Sequence, residues 1–507
     1  MRRYGDQMIT RVSALLAGIA LCSSGCGGGG GGTGGHGGAA GGATAGTGGR
    51  GGGGAGTTGS DGGGAGTTGS GGGGAGTTGV GGTAGTTGLG GRGGGAGAGG
   101  TGGISSTGSG LVDLVAGSAG MTIAVDAAGT IHVATATLVQ GTYSVAYGRC
   151  AGQCDRGASW TSVVLVLESD TSHVPTIALT SNGRPRIAYA SDLGAAPGYH
   201  YVECDAGCDQ PANWHDVRLT MGDPGASPAP RPALPFAVSP GGRAAFVYED
   251  GFGMYAWTCL ANCALGTSWM RVTLADVYVY PESAAFSSDS SLQVVARHAV
   301  QDTESLLWLD CSGDCAVATN WAGLDNVVIT KGMLQAVLAR TGQGGTRILF
   351  YGDNPITPAA DNLFGWLVCD SNCRTGSSWL PPLQLGIPAN FASVGFSMAL
   401  DAGGRPTVGI LADTTSSFAR CTGDCTGAAG VWSLTAAVSV SNLNAAFPPT
   451  VPASCTSASW GMYVGPSVAL DATARPIMVF TANAKAFGGA CGTGSAATMT
   501  DSFLALP

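Results

Sequence analysis

The chain has 507 residues, 92 of them glycine, with only 10% charged residues and a formal net charge of −9. Only two lysines, Lys331 and Lys485, follow residue 111, so no surface tracks a phosphate backbone and nucleic acid is excluded as a partner. Sixteen cysteines in a chain that opens like an exported protein are expected to be oxidised.

Arg2, Arg3 and Arg11 precede an apolar run from Val12 to Leu21. About ten apolar residues cannot cross roughly 30 Å of hydrocarbon, so residues 1–25 read as a secretory signal peptide and not as a membrane span. Leu21-Cys22-Ser23-Ser24-Gly25-Cys26 resembles a bacterial lipobox, although Ser23 stands where that motif has Leu. The resemblance implies an exported lipoprotein, at the outer membrane or cell surface, acylated at Cys26. Without the lipid the protein is secreted. Residues 26–110 are almost only Gly, Ala, Thr and Ser, with Ala-Gly-Thr-Thr-Gly recurring. Such a segment cannot bury apolar surface and is expected to be a disordered tether, on the order of 50 Å r.m.s. in span.

From 111 to 507 one pattern repeats: Cys, three residues, Cys, then Trp. The pairs are Cys150/Cys154, Cys204/Cys208, Cys259/Cys263, Cys311/Cys315, Cys369/Cys373 and Cys421/Cys425. The tryptophans are Trp160, Trp214, Trp269, Trp321, Trp379 and Trp432, ten residues after the first Cys in five copies and eleven in the last. Successive copies advance by 54, 55, 52, 58 and 52 residues, the length of a four-stranded propeller blade. Within a copy, as at 176–219, a short β-prone run meets a Gly turn, a second run, a polar loop, a third run, the cysteine loop and a fourth run opened by Trp. The turn recurs seven times, from Asp126-Ala-Ala-Gly129 to Asp471-Ala-Thr-Ala474. No helical period appears, and seven antiparallel meanders predict a closed, all-β, seven-bladed propeller. Leu111–Val115 reads as a fourth strand without a blade, placed to complete the last sheet. The aromatics Tyr147, Tyr201, Trp308, Trp366 and Phe418, three residues before the first Cys, and Trp257, two before it, are expected to pack between blades with the motif tryptophans.

Cysteines four apart suit a local disulfide. Haem attachment would need a following His, and zinc would need a second pair close by, whereas successive pairs fall on different blades. Each staple is worth roughly 2 kcal/mol in the chain-entropy estimate. The degenerate last unit leaves Cys455 and Cys491 to pair by elimination.

Alternating strand directions put the Gly turns and cysteine loops on one face, and the loops after the second strands and between blades on the other. At that second face, the mouth, the sequence offers Asp192, Glu249, Asp250, Asp353 and Asp413, with His298 and Asp302. Inter-blade loops add Asp223, Arg231, Tyr278, Tyr280 and Phe391. A ring of acids there could bind calcium, a sugar or a basic peptide group, though Asp after a strand is also ordinary turn chemistry.

Met398-Ala-Leu-Asp-Ala-Gly-Gly-Arg-Pro406, with Phe418-Ala-Arg-Cys-Thr-Gly-Asp-Cys425 and Trp432, resembles the disulfide-stapled, BNR/Asp-box-like propeller repeats of exported bacterial proteins. The related sialidases carry a Trp directly after the box, an arginine cluster, a Tyr nucleophile and an acid. Here no Trp follows the turn, Arg184, Arg405 and Arg475 sit in turns on the opposite face, and only Arg231 and Arg297 fall at the mouth. No catalytic triad order, paired carboxylates, phosphate loop or metal motif stands out. The sequence thus favours a tethered binding or scaffolding propeller for a glycan or protein ligand. The alternative is a glycan-active hydrolase or lyase using mouth carboxylates.

Overall fold

The computed structural model describes residues 110–506 apart from 117, 140–141, 157–158, 168–173, 192–197, 220–233, 251–252, 276–278, 288–290, 301–302, 331–332, 353–362, 386–392, 413, 428–429 and 493–495. The leader, Cys26 and the Gly-rich segment lie outside the described residues. Seven four-stranded antiparallel sheets form seven blades, numbered here from 118–167 (blade 1) through 176–218, 236–275, 279–330, 333–384 and 393–439 to 457–505 (blade 7). The first strands of neighbouring blades touch one another all the way round, the last against the first, so the ring is closed as expected. First strands are therefore inner, and fourth strands outer.

Blade 7 supplies only three strands from its own segment. Its outer strand is Leu111–Ala116, antiparallel to Ala496–Ala505, with Leu111 opposite Ala505 and Ala116 opposite Asp501. Val112, Leu114 and Val115 are buried there. The first and last segments of the propeller thus share one sheet, and the ring closes by hydrogen bonding.

The core is divided by blade pairs. Each of seven apolar clusters draws on two adjacent sheets, for example Tyr147 and Val163 of blade 1 with Ile187, Tyr189 and Val202 of blade 2. The residue three before the first Cys faces forward to the next blade. Ring centres lie 4.9 Å apart for Tyr147–Trp214, 4.8 Å for Tyr201–Trp269, 5.7 Å for Trp308–Trp379 and 6.2 Å for Trp366–Trp432. Trp257 breaks the series because side chains on a strand alternate faces. Two residues before the Cys, it points backward and packs against the cluster shared by blades 2 and 3.

All six i,i+4 disulfides form, as does Cys455–Cys491. Among the described residues this places seven bridges in the chain, the mark of a protein that matures in an oxidising, extracytoplasmic compartment. Geometry also explains the fixed Cys-to-Trp step. The indole N–H donates to the carbonyl of the second Cys, six residues back: Trp160 to Cys154 (3.1 Å), Trp214 to Cys208 (3.0 Å), and Trp269, Trp321 and Trp379 to Cys263, Cys315 and Cys373 (each 2.9 Å). In the sixth copy the extra residue moves Trp432 off this bond. The Cys425 carbonyl instead accepts from Trp366 of blade 5, at 2.9 Å. Trp366→Phe should therefore cost about 2 kcal/mol, since it leaves a buried carbonyl unmet, whereas Trp432→Phe should cost under about 1 kcal/mol. Denaturant midpoints followed by circular dichroism would check this order.

The turns carry the acid sensitivity. Oδ1 of Asp126, Asp401 and Asp471 accepts from the amides two and four residues on, and Arg405 and Arg475 close back on the Asp401 and Asp471 carboxylates at 2.7 Å. Gly129 and Gly404 take the left-handed position with φ of 83° and 75°, and Ala474 holds it at 60° despite its Cβ. Burial opposes ionisation of Asp471, but the Thr473 hydroxyl, the Arg475 amide and guanidinium and the Thr473 amide outweigh it and bring its pKa to about 2. Asp126 and Asp401 are lowered against the same opposition. These folded values lie below the unfolded one, so the stabilisation is complete above about 3.8 and is lost as pH falls through the folded pKa. His132, lowered chiefly by burial, adds a loss of the same sign below about 6.5. Melting temperature should fall on acidification, most steeply between about pH 4 and pH 2; Asp471→Asn should lower it at neutral pH and flatten that acid limb.

Candidate functional site

Blade 4 gathers the chemistry at the mouth. Its inner strand, Val279–Phe286, begins Val-Tyr-Pro-Glu, and Pro281 cannot donate to a sheet ladder. The ladder slips there: Tyr280 pairs with Arg297 and Pro281 with Ala296, then Ser283 with Val295, leaving Glu282 as the bulged residue. A bulge releases a side chain from strict alternation and re-aims it. Glu282 Oε1 lies 3.5 Å from Nε of Arg297, and Nη1 of the same arginine lies 3.2 Å from Oε1 of Glu304, near the start of the third strand. The guanidinium carbon sits 5.0 Å from the centre of the Tyr280 ring. The side chains are 25% (Arg297), 11% (Glu282) and 20% (Glu304) exposed, so the triad is half-sheltered yet reachable. Two carboxylates held by one guanidinium beside an aromatic ring can hydrogen-bond polyhydroxyl ligands and exchange protons with them.

On the same blade His298 lies 3.6 Å from Asp325, which also accepts from Ser305 at 3.4 Å. In blade 3 Glu249 ends the second strand and Asp250 follows it, both half-buried. Arg271 of the outer strand lies 4.0 Å from Asp250 and stacks on Tyr255 at 4.0 Å. That assembly continues inward through Tyr248, whose hydroxyl pKa burial raises, to Tyr199 at 4.9 Å. In blade 2 buried His200 bonds Asp216 at 3.0 Å and stacks on Tyr189, which donates to the same carboxylate at 3.0 Å. Burial drives the Tyr189 hydroxyl far above its ordinary range and keeps it protonated, so this trio is a structural pin.

Of the seven mouth residues expected from sequence, Glu249, Asp250 and His298 are thus placed, with Asp250 and His298 directed to partners on outer strands. Asp192, Asp302, Asp353 and Asp413 lie outside the described residues, as do Asp223, Arg231, Tyr278 and Phe391. Among the described residues no group of three or more His, Cys, Asp or Glu is arranged to hold a metal ion, and the calcium expectation rests on the four acids not described. Sequence reasoning reached Tyr280, Arg297 and His298 but missed Glu282, Glu304 and Asp325. The signal for Glu282 was present: an acid and a proline inside a first-strand run whose counterparts, Thr176–Leu179 and Phe236–Val238, are uncharged.

The fold and the bridges together define a disulfide-stapled, seven-bladed β-propeller. No protein-family model matches the chain, and no curated protein sequence matches it. Solved propellers of similar fold include an ulvan lyase of a polysaccharide lyase family (10% identity, TM-score 0.45, covering 76% of this chain and 97% of that one). Others are the NanB sialidase of Streptococcus pneumoniae (9%, 0.38, 76% and 68%) and the α-L-arabinanase of Penicillium chrysogenum complexed with arabinobiose (10%, 0.38, 77% and 93%). At these identities they say nothing of which residues this chain uses.

Proposed function

We propose that the protein is an extracytoplasmic carbohydrate-active propeller, a glycan hydrolase or lyase that works at the mouth of blade 4. Glu282 and Glu304 are its acid–base carboxylates, Arg297 sets their positions, and Tyr280 offers a sugar-facing ring. One observation carries this: two acids remote in sequence meet at one arginine, 3.5 and 3.2 Å from it, where the inner strand bulges at Glu282. The sequence alone had shown no such pair, which was the reason for preferring a binder. Proton transfer in glycoside cleavage commonly needs two carboxyl groups flanking the scissile bond. The binding or scaffolding reading keeps one observation in its favour: both acids already satisfy Arg297, as a structural ion triad would.

A screen of neutral and acidic polysaccharides, read by reducing-end release and by unsaturated-product absorbance, separates the two. Turnover should fall by about 100-fold or more in Glu282→Gln and Glu304→Gln with unchanged melting temperature. Binding without turnover would establish the binder, and neither binding nor turnover would remove glycans from consideration. Acylation of Cys26 belongs to the same proposal. Fatty-acid labelling of the wild type should be lost in Cys26→Ala, and an unlabelled wild type would leave the protein secreted.

A further inference from the structure

Bulges recur on the inner strands, and their heights differ in an informative way. In blades 1, 5 and 6, and at the first of two slips in blade 7, the slip falls between the seventh and sixth residues of the second strand, opposite Thr137/Ala136, Gly352/Tyr351, Ala412/Leu411 and Ala482/Thr481; the second slip of blade 7 follows at once, between Val464 and Ser467. The bulged residues are Ala119, Leu334, Val394 and Tyr463. In blade 4 it falls between the fifth and fourth, opposite Ala296/Val295, so Glu282 sits two residues, about 6–7 Å, deeper in the channel. At the height of the other bulges blade 4 presents Tyr280, opposite Arg297. Blades 4 and 7 stand three places apart in a ring of seven, almost diametrically across the axis.

Tyr463 departs from its counterparts. Three of the four bulges at that level are aliphatic, whereas blade 7 carries a tyrosine that is 47% exposed. Among the described residues it is the one aromatic in the strongly exposed set of large apolar side chains, the others being aliphatic residues and Met270. Trp460 and Met462 on the same strand are buried against blade 6, whereas Tyr463, the bulged residue, is turned to solvent. The mounting is rigid. The Trp460 amide donates to Oδ1 of Asn444 at 2.9 Å, on the helix Val440–Ala446, and Cys455–Cys491 clasps the segment before the strand to the loop after its partner, on the mouth face.

We infer that Tyr463 is the far wall of a saccharide subsite that spans the channel mouth, with Tyr280 and Glu282 as the near wall, and that its ligand is a neutral glycan chain. The inference rests on the carbohydrate reading above and names its substrate class. An aromatic ring with a solvent-facing plane stacks on the apolar face of a sugar, while carboxylates accept from its hydroxyls. The wall includes Glu282 and Glu304 beside Arg297, on a chain of net charge −9, so a polyanion would meet repulsion.

The test uses the full-length protein, with arabinan, xylan and mixed-linkage β-glucan as neutral probes and polygalacturonate and heparin as anionic ones, in titration calorimetry at low and moderate salt. Wild type should bind at least one neutral probe and bind the anionic ones more weakly. Tyr463→Ala should weaken that binding about tenfold, Tyr463→Phe should retain it within about twofold, and both should melt as wild type does. Equal binding by Tyr463→Ala, or preference for the polyanion, overturns the inference. Loss of binding in Glu282→Gln with none in Tyr463→Ala would leave the carbohydrate reading standing and this subsite gone. Absence of any glycan binding by the wild type removes both.

Discussion

The hydrogen bond from the motif indole to the carbonyl of the second cysteine, made in five of the six copies, is the constraint on which the blades depend. It fixes the tryptophan at the start of the outer strand, and so fixes the plane of the ring that the preceding blade's aromatic must meet. A disulfide four residues long cannot do this alone, because it closes only its own loop. Bridge, indole bond and cross-blade ring contact act in series: the staple shapes the loop, the loop carbonyl holds the tryptophan, and the tryptophan seats its blade on the preceding one. The sixth copy shows that the carbonyl matters more than the donor's identity. When one added residue carries Trp432 out of reach, Trp366 supplies the donor from the neighbouring sheet. A buried carbonyl without a partner is costly enough for the fold to recruit a substitute across a blade boundary.

Ring closure follows the same economy of edges. A three-stranded seventh blade would leave the edge of Ala496–Ala505 open to pairing with other chains. Leu111–Ala116 covers it before the chain turns into blade 1. At the seam a file of buried hydroxyls runs from Thr481 through Ser502 and Ser118 to Thr135, each step 2.7–2.9 Å. An apolar seam of the same shape would tolerate sliding. Directional bonds at this height fix the register of blade 7 against blade 1.

The architecture was legible because its determinants are local and repeated: spacing fixed the staples, the aromatics before each first cysteine were readable as inter-blade packing, and even the orphan strand at 111 was recognisable. Trp257 shows the limit of a motif read by position alone, since one residue of offset reverses a side chain's face. The site was legible only in part because its key pairing is not local. Glu282 and Glu304 lie on different strands, and nothing in either stretch names the other. Arg297 was visible as a mouth residue, but its two partners emerge only once the ladder register, slipped at Pro281, is known. Mouth residues at or after the ends of second strands were easier to see and less informative, as Asp250 and, within its strand, His298 show by turning to Arg271 and Asp325 on outer strands.

Strand direction finally settles how the two faces divide their work. Second strands run toward the mouth and third strands away from it, so the six local staples all lie on the face opposite Glu282, Arg297 and Tyr463. Leu111–Ala116, taking the outer position, must begin on the staple face. There Gly110 accepts a hydrogen bond from the Leu506 amide at 3.1 Å, and both ends of the propeller meet. The segment that precedes residue 110 therefore joins on the side away from the mouth. The mouth face carries the single Cys455–Cys491 bridge among its described residues, placed where blade 7 raises Tyr463.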